Sequence, residues 1–320
     1  MSANSIMIFS GSGSPNLTVK ICEYLGVKKG NSEVIHFSDG NTFVRINESV
    51  RGCHIYLVQS TIFPANDNFM ELLFWIDAFK RASAESVTVI IPFFSYSKGD
   101  KKDEPRVSIR ARVCADAIEV AGADRVVTID LHSPQIQGFF RKPVDNLYAL
   151  HIFSEKIKSL NLENLVIVSP DIGFAHQAHK YASFLKAPVV IANKQRVNHD
   201  EKAEVTEIIG EVEGKTAVVV DDMVISGGTL ADVADKLKKM GAAGVYAMAT
   251  HGVLTPGATA AIDRSPLIKV FITDTVENQP EKLSEKIEVI SVAPVFGEAI
   301  KRIHDRTSIS DMFPEKKVRG

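Results

Sequence analysis

The sequence predicts an α/β protein made of two similar domains, each a mainly parallel sheet flanked by helices. Three observations predict it. Short β-branched runs alternate with amphipathic stretches along the chain, the rhythm of strand–helix–strand units. Several runs are continuously apolar, such as Val87-Thr88-Val89-Ile90-Ile91 and Ala217-Val218-Val219-Val220, which suits parallel strands buried on both faces. One pattern occurs twice: Gly122-Ala123-x-x-Val126 and Gly241-Ala242-x-x-Val245, with His132 and His251 following at the same offset. So short a match supports an internal repeat, but it also arises wherever a helix stops at glycine and feeds a strand.

Taken in order, the first half predicts strands over 5–9, 34–37, 54–59, 87–92 and 125–130, with helices over 67–82 and 109–121. The second half predicts strands over 165–169, 189–192, 216–221, 244–250 and 269–273, with a helix over 229–240. The seam falls near 143–150. The expected domains are 1–147 and 148–293, with a final helix near 294–305 and the segment 294–320 packing on the first. Ser10-Gly11-Ser12-Gly13-Ser14-Pro15 follows a strand, and a tight turn is expected there rather than a phosphate cradle.

Bulk properties exclude several classes. The 320 residues are 45% hydrophobic and 24% charged, with a net charge of −2, so bulk charge recruits neither nucleic acid nor a membrane surface. Cys22, Cys53 and Cys114 are scattered, which argues for a reducing compartment and against a disulfide framework or structural zinc. There is no long apolar span, and Met1-Ser2-Ala3-Asn4-Ser5 lacks signal-peptide character, so a cytoplasmic location is expected.

The most informative segment is Ala217-Val218-Val219-Val220-Asp221-Asp222-Met223-Val224-Ile225-Ser226-Gly227-Gly228-Thr229-Leu230. An apolar strand runs into two acids, then a small glycine-bearing loop, then a helix. Amides opening a helix are unpaired donors in a partly positive field, and glycines let a phosphate approach them. Ser226 and Thr229 add hydroxyls, while the acids suit a sugar's vicinal hydroxyls as acceptors. One loop can thus hold both ends of a ribose phosphate. The bland reading is a strand-to-helix turn, but paired ionised acids on a buried strand call for a partner.

This loop is similar to the phosphoribosyl-diphosphate loop of type I phosphoribosyltransferases. Further stretches narrow the likeness: Phe37-Ser38-Asp39-Gly40-Asn41, Asp130-Leu131-His132-Ser133-Pro134-Gln135-Ile136-Gln137-Gly138-Phe139-Phe140, Pro143-Val144-Asp145-Asn146-Leu147-Tyr148-Ala149 and Val168-Ser169-Pro170-Asp171. In family order over residues 8–313, they resemble the ribose-phosphate pyrophosphokinase family. The resemblance implies two type I phosphoribosyltransferase-like domains, Mg²⁺ as cofactor, ATP and ribose 5-phosphate as substrates, and a homo-oligomer built from dimers, as large as a hexamer.

It also implies roles. ATP would meet Phe37, Asp39, Gly40 and Asn41 at the adenine, then Lys98, Gly99, Asp103 and His132. Metal would involve His132, Asp130 and Asp171, the last shared with ribose. Asp221 and Asp222 would hold the ribose, and Ile225, Ser226, Gly227, Gly228 and Thr229 its phosphate. Lys194 and Arg196 match a catalytic flexible loop expected over 194–203, with Arg196 also facing the sugar phosphate and His132 serving catalysis. Ser49, Arg51, Ser83, Arg106, Ser308 and Ser310 match a regulatory anion site.

The sequence departs from the commoner family pattern at Ile225, where an aspartate is usual, and at Lys98–Gly99, where an arginine–glutamine pair is usual. Asn41 stands for a glutamate, Arg141 for an aspartate, and Gly173-Phe174-Ala175-His176 stands where a glycine pair and a basic residue are usual. A divergent subclass with relaxed nucleotide choice is the expectation. Two alternatives stay open: a non-catalytic regulatory subunit of the same family, and a phosphoribosyltransferase.

Overall fold

The computed structural model describes residues 6–196 and 203–312, with the side chains at 194–196, 203–206 and 311 outside that description. Two compact units divide the chain. The first comprises Met1–Tyr148, Thr275–Glu277 and Ser291–Gly320; the second comprises Ala149–Asp274 and Asn278–Ile290.

In chain order the first unit contains β1 (Ile6–Ser10), α1 (Pro15–Leu25), β2 (Ser32–His36), β3 (Thr42–Ile46), β4 (His54–Val58), α2 (Ala65–Arg81), β5 (Ser86–Ile91), α3 (Arg110–Ala121), β6 (Arg125–Ile129) and β7 (Val144–Leu147). β1, β4, β5, β6 and β7 lie side by side in that order, all parallel. The apolar runs have the cause expected of them: Ile55, Leu57, Val87, Val89 and Ile90 are fully buried. α2 adds Trp75 and Phe79, stacked at 5.7 Å, and Phe79 meets Phe9 at 4.8 Å.

The strand expected over 34–37 is β2, and it is not part of this sheet. It pairs antiparallel with β3 as a separate two-stranded hairpin. The turn needs Gly40, whose φ is +89°. Val34, Val44 and Ile46 lean on the core of the first unit, so the hairpin is half-buried along one side only.

The second unit contains α4 (Leu150–Ser159), β8 (Leu165–Ser169), α5 (Ala175–Leu185), β9 (Val189–Arg196), β10 (Ala203–Ile209), β11 (Thr216–Val224), α6 (Gly228–Lys239), β12 (Gly244–Gly252), α7 (Ala258–Arg264), β13 (Lys269–Thr273) and β14 (Ile287–Ile290). Its seven strands run β10-β9-β8-β11-β12-β13-β14, parallel except for β10 against β9. After β8 the chain travels outward through β9 and β10, then returns to β11 on the other side of β8. The β8/β11 boundary is therefore where strand order reverses, the place where open α/β sheets gather ligands beyond their carboxyl ends.

Both repeated helix stops share one cause. Gly122 caps α3 at φ +111°, and Gly241 follows α6 at φ +87°. The last helix, α8 (Ala293–His304), packs on α1 in the first unit. Among the described residues no helix is long and apolar enough to cross a membrane.

The start of α1 is capped from far along the chain. Ser14 makes no side-chain cap; its hydroxyl accepts the Ser60 amide instead. Glu277 takes over: one carboxylate oxygen accepts the Leu17 amide and the other the Asn16 side-chain amide, both at 2.8 Å. A carboxylate at a helix N-terminus stabilises by about 1 kcal/mol. Glu277→Ala is expected to lower the calorimetric Tm of the first unit by about 2–4 °C, with Glu277→Gln losing less because it keeps an acceptor. An unshifted Tm in the alanine variant would show that this cap contributes nothing.

Candidate active site

Three carboxylates gather at the strand-order reversal. Asp171 follows β8, and Asp221 and Asp222 lie on β11. The expectation that the strand ends at the acids is corrected. β11 runs on through Val224, with Asp221 in register with Ala249 and Met223 with His251. The acids are thus held by the backbone ladder rather than by a loop. Asp222 is buried, and Asp221 is partly buried and accepts the Asp222 amide at 2.8 Å. Burial, then the Asp222 carboxylate, and then Asp171 push the Asp221 carboxyl well above the usual carboxylate range. Asp171 is fixed in turn: its Oδ1 accepts the Phe174 amide at 2.9 Å, and the Ser169 hydroxyl donates to its carbonyl.

The loop after β11 is pinned from the β12–α7 connection, a contact that no sequence signal announces. The Ile225 carbonyl accepts both the amide and the hydroxyl of Thr255, at 2.9 and 3.1 Å, and the Val224 carbonyl accepts the Val253 amide. Ile225 is therefore anchored through its backbone carbonyl. Gly227 is required twice over: φ is +75°, and a Cβ there would stand 2.9 Å from the Ala258 carbonyl oxygen. α6 then opens at Gly228 with no side-chain cap, and the first-turn amides of any α-helix lie beyond the reach of its own i−4 ladder. Ser226 is exposed beside them, and Gly228 and Thr229 are half-buried.

β9 corrects the expected loop over 194–203. Lys194 and Arg196 belong to the strand, in register with Val205 and Ala203 of β10, and the rest of the expected loop, 197–202, lies outside the described residues. Their side chains lie outside the described ones.

In the first unit, two candidate segments follow neighbouring strands. Asp130, partly buried, and His132, exposed, follow β6. Lys98 and Gly99 close a 3-10 turn at Ser95–Gly99 after β5, and Asp103 is exposed beyond it. Gly99 is buried under Arg110: a Cβ would fall 2.6 Å from Arg110 Nε, so the glutamine common here would require Arg110 to shift. The hairpin turn carries Phe37, half exposed, with Phe43 at 6.3 Å and Arg45 over the Phe43 ring. Asp39, Gly40 and Asn41 are exposed. Asn41 donates its backbone and side-chain amides to Asp39, which hold that carboxyl below its ordinary range.

The loop over 10–14 is a turn. The Ser12 amide donates to Glu71 and the Gly13 amide to Gln59, both at 2.8 Å, so buried side chains already fill the places a phosphate would take. Of the regulatory candidates, Arg51 and Ser83 are neighbours through the Gly52 amide on the Ser83 carbonyl, and Ser308 Oγ accepts the Ser310 amide. Ser49 and Arg106 are exposed, Arg106 with φ +64°. Among the described residues no three His, Cys, Asp or Glu side chains close a metal site by themselves.

Comparisons with known proteins agree on one family. A family model described as the N-terminal domain of ribose phosphate pyrophosphokinase matches residues 6–122, and one described as phosphoribosyl synthetase-associated domain matches 195–314. A ribose-phosphate pyrophosphokinase from Caldanaerobacter subterraneus subsp. tengcongensis is 48% identical over 311 residues, 97% of this chain and 98% of that protein. One from Clostridium acetobutylicum is 45% identical over 98% of each chain. The crystal structure of phosphoribosylpyrophosphate synthetase from Mycobacterium smegmatis superposes with a TM-score of 0.89 at 36% identity, covering 94% of this chain and 99% of that one. With near-complete coverage in sequence and in fold, the chain belongs to the ribose-phosphate pyrophosphokinase family.

Proposed function

We propose that the chain transfers the β,γ-pyrophosphoryl group of ATP to the C1 hydroxyl of ribose 5-phosphate, giving 5-phosphoribosyl 1-diphosphate and AMP, as a cytoplasmic homo-oligomer. The observation that carries this reading is the meeting of Asp171, Asp221, Asp222 and the opening of α6 at the β8/β11 reversal. Amides of the α6 first turn, with Ser226 and Thr229, bind the 5-phosphate. Asp221 and Asp222 accept the ribose hydroxyls and orient the sugar, because carboxylates hold vicinal diols as acceptors. Phe37, Asp39, Gly40 and Asn41 take the adenine, and Lys98, Gly99, Asp103 and His132 the rest of ATP. Ser49, Arg51, Ser83, Arg106, Ser308 and Ser310 take a regulatory anion.

The anomeric oxygen attacks the β-phosphorus, the bond from it to the oxygen shared with the α-phosphate breaks, and AMP departs. Lys194 and Arg196 meet the negative charge on the transferring group and on the leaving phosphate, with Arg196 also facing the sugar phosphate. Carboxylate oxygens are the hard donors that Mg²⁺ takes, and the repulsion among the carboxyls that raises Asp221 at the β8/β11 reversal is relieved by a cation. Asp171 would hold one ion at the sugar, and Asp130 with His132 would face the other beside ATP. When bound, Mg²⁺ neutralises phosphate charge across the reacting group.

Purified protein with Mg²⁺, ATP and ribose 5-phosphate is expected to form AMP and 5-phosphoribosyl 1-diphosphate in equal amounts, read by ³¹P NMR. Formation of ADP would change the reaction type. No product with any nucleotide would favour a regulatory subunit. Product only when a free base is added to 5-phosphoribosyl 1-diphosphate would favour a phosphoribosyltransferase.

A further inference from the structure

The turn that carries His132 is held by a side chain the reaction has not yet used. β6 makes its last ladder contact at Asp130, whose amide donates to the Leu147 carbonyl at 2.9 Å. There the backbone turns left-handed, with φ +42°, a conformation L residues rarely adopt. Leu131 leaves the ladder while buried, so its amide needs an acceptor inside the protein. Asn146 supplies it: Oδ1 accepts the Leu131 amide at 3.1 Å. Asn146 sits on β7 opposite Thr128 of β6 and is only 2% exposed. The next residue along the turn is His132.

Asn146 keeps this role despite a cost. Its Nδ2 is buried with no partner among the described residues. A leucine of similar volume would remove the unpaired Nδ2 but leave the buried Leu131 N–H without its acceptor, so packing alone does not account for an amide here. An aspartate would accept the same bond, but it would bring a further negative charge beneath a segment read as meeting a triphosphate. Asparagine is the neutral acceptor that satisfies Leu131 without that charge.

We propose that Asn146 is a positioning residue for His132, fixing the Asp130–Leu131–His132 turn so that the imidazole is presented to ATP; this rests on the reading of His132 given above. Asn146 touches no substrate and acts through the Leu131 amide. Alanine at 146 frees that amide, and the turn relaxes from its left-handed geometry. A displacement of about 1 Å at a positioned group lowers turnover by roughly ten- to a hundredfold.

The test is steady-state kinetics on the full chain with N146A, N146D, H132A and the double variant. N146A is expected to lower kcat on the order of tenfold while the KM for ribose 5-phosphate stays within twofold. N146D keeps an Oδ1 acceptor but adds a buried charge, so it is expected to keep more kcat than N146A without reaching the parent value. In the H132A background, N146A is expected to add no further loss, because residues acting as a unit are non-additive. Independent, multiplying losses, or N146D turning over no faster than N146A, overturn the proposal. Wild-type turnover in N146A together with a large loss in H132A overturns it alone, whereas wild-type turnover in H132A removes the reading of His132 and the proposal with it. Should N146A fail to fold, N146L fills the same volume without an acceptor and carries the same comparison.

Discussion

Lys194→Ala is expected to lower kcat by on the order of a hundredfold, equivalent to about 2.7 kcal/mol of lost transition-state stabilisation. The expected loss is electrostatic in origin. Pyrophosphoryl transfer asks little covalent chemistry of the protein, and its barrier is set by positioning and by charge on the transferring and leaving groups. A lysine that meets that charge only as it develops raises kcat without tightening ground-state binding. The KM values for ATP and ribose 5-phosphate are therefore expected to change less than kcat. Lys194→Arg keeps the charge but replaces a compact ammonium with a planar fork, so it is expected to recover turnover only in part. Because Lys194 lies on β9, in register with Val205, the substitution leaves the β9–β10 ladder intact, and circular dichroism is expected to be unchanged. Steady-state kinetics decide it: turnover equal to the parent protein's removes Lys194 from the mechanism.

What could be read from the sequence follows from how local each signal is. The buried parallel strands were legible because Val87 to Ile91 and Ala217 to Val220 carry their burial in their own composition. Strands β3, β7, β10 and β14 were not. β3 alternates half-buried and exposed residues, β7 and β14 are four residues long, and β10 carries Glu204 and Glu207 within its run. None of them has a continuous apolar stretch to announce it. The candidate sugar-phosphate loop was legible for the same reason as the core strands: strand, glycines and helix start lie within one short segment. The extent of β11 was not, because two acids in sequence look like an exit from a strand. Only the pairing with β12 keeps Asp221 and Met223 in the ladder. The nearness of Asp171 to Asp221 depends on β8 and β11 being neighbours, a fact of sheet order that no periodicity contains. Asn146 shows in the sequence only as part of a motif, since the bond that gives it a role links β7 to the turn after β6.

The two glycines at the head of α6 separate what the fold needs from what a ligand needs. Gly227 is demanded from inside: its φ of +75° costs an L residue roughly 1–2 kcal/mol, and the Ala258 carbonyl stands 2.9 Å from where a Cβ would sit. Gly228 has no such demand. Its φ is unexceptional, and a Cβ there would meet only Ser226 Oγ at 3.6 Å, an ordinary contact. Gly227→Ala is therefore expected to lower Tm and raise the KM for ribose 5-phosphate together, since the loop must shift to admit the methyl. Gly228→Ala is expected to leave Tm within about 1 °C yet raise that KM by on the order of tenfold or more, because the methyl stands between the first-turn amides and a phosphate that must approach them closely. Calorimetry paired with steady-state kinetics reads both quantities. If Gly228→Ala left stability and KM alike untouched, no phosphate would be gripped at this helix start, and the sugar-phosphate site would have to be sought elsewhere on the second unit.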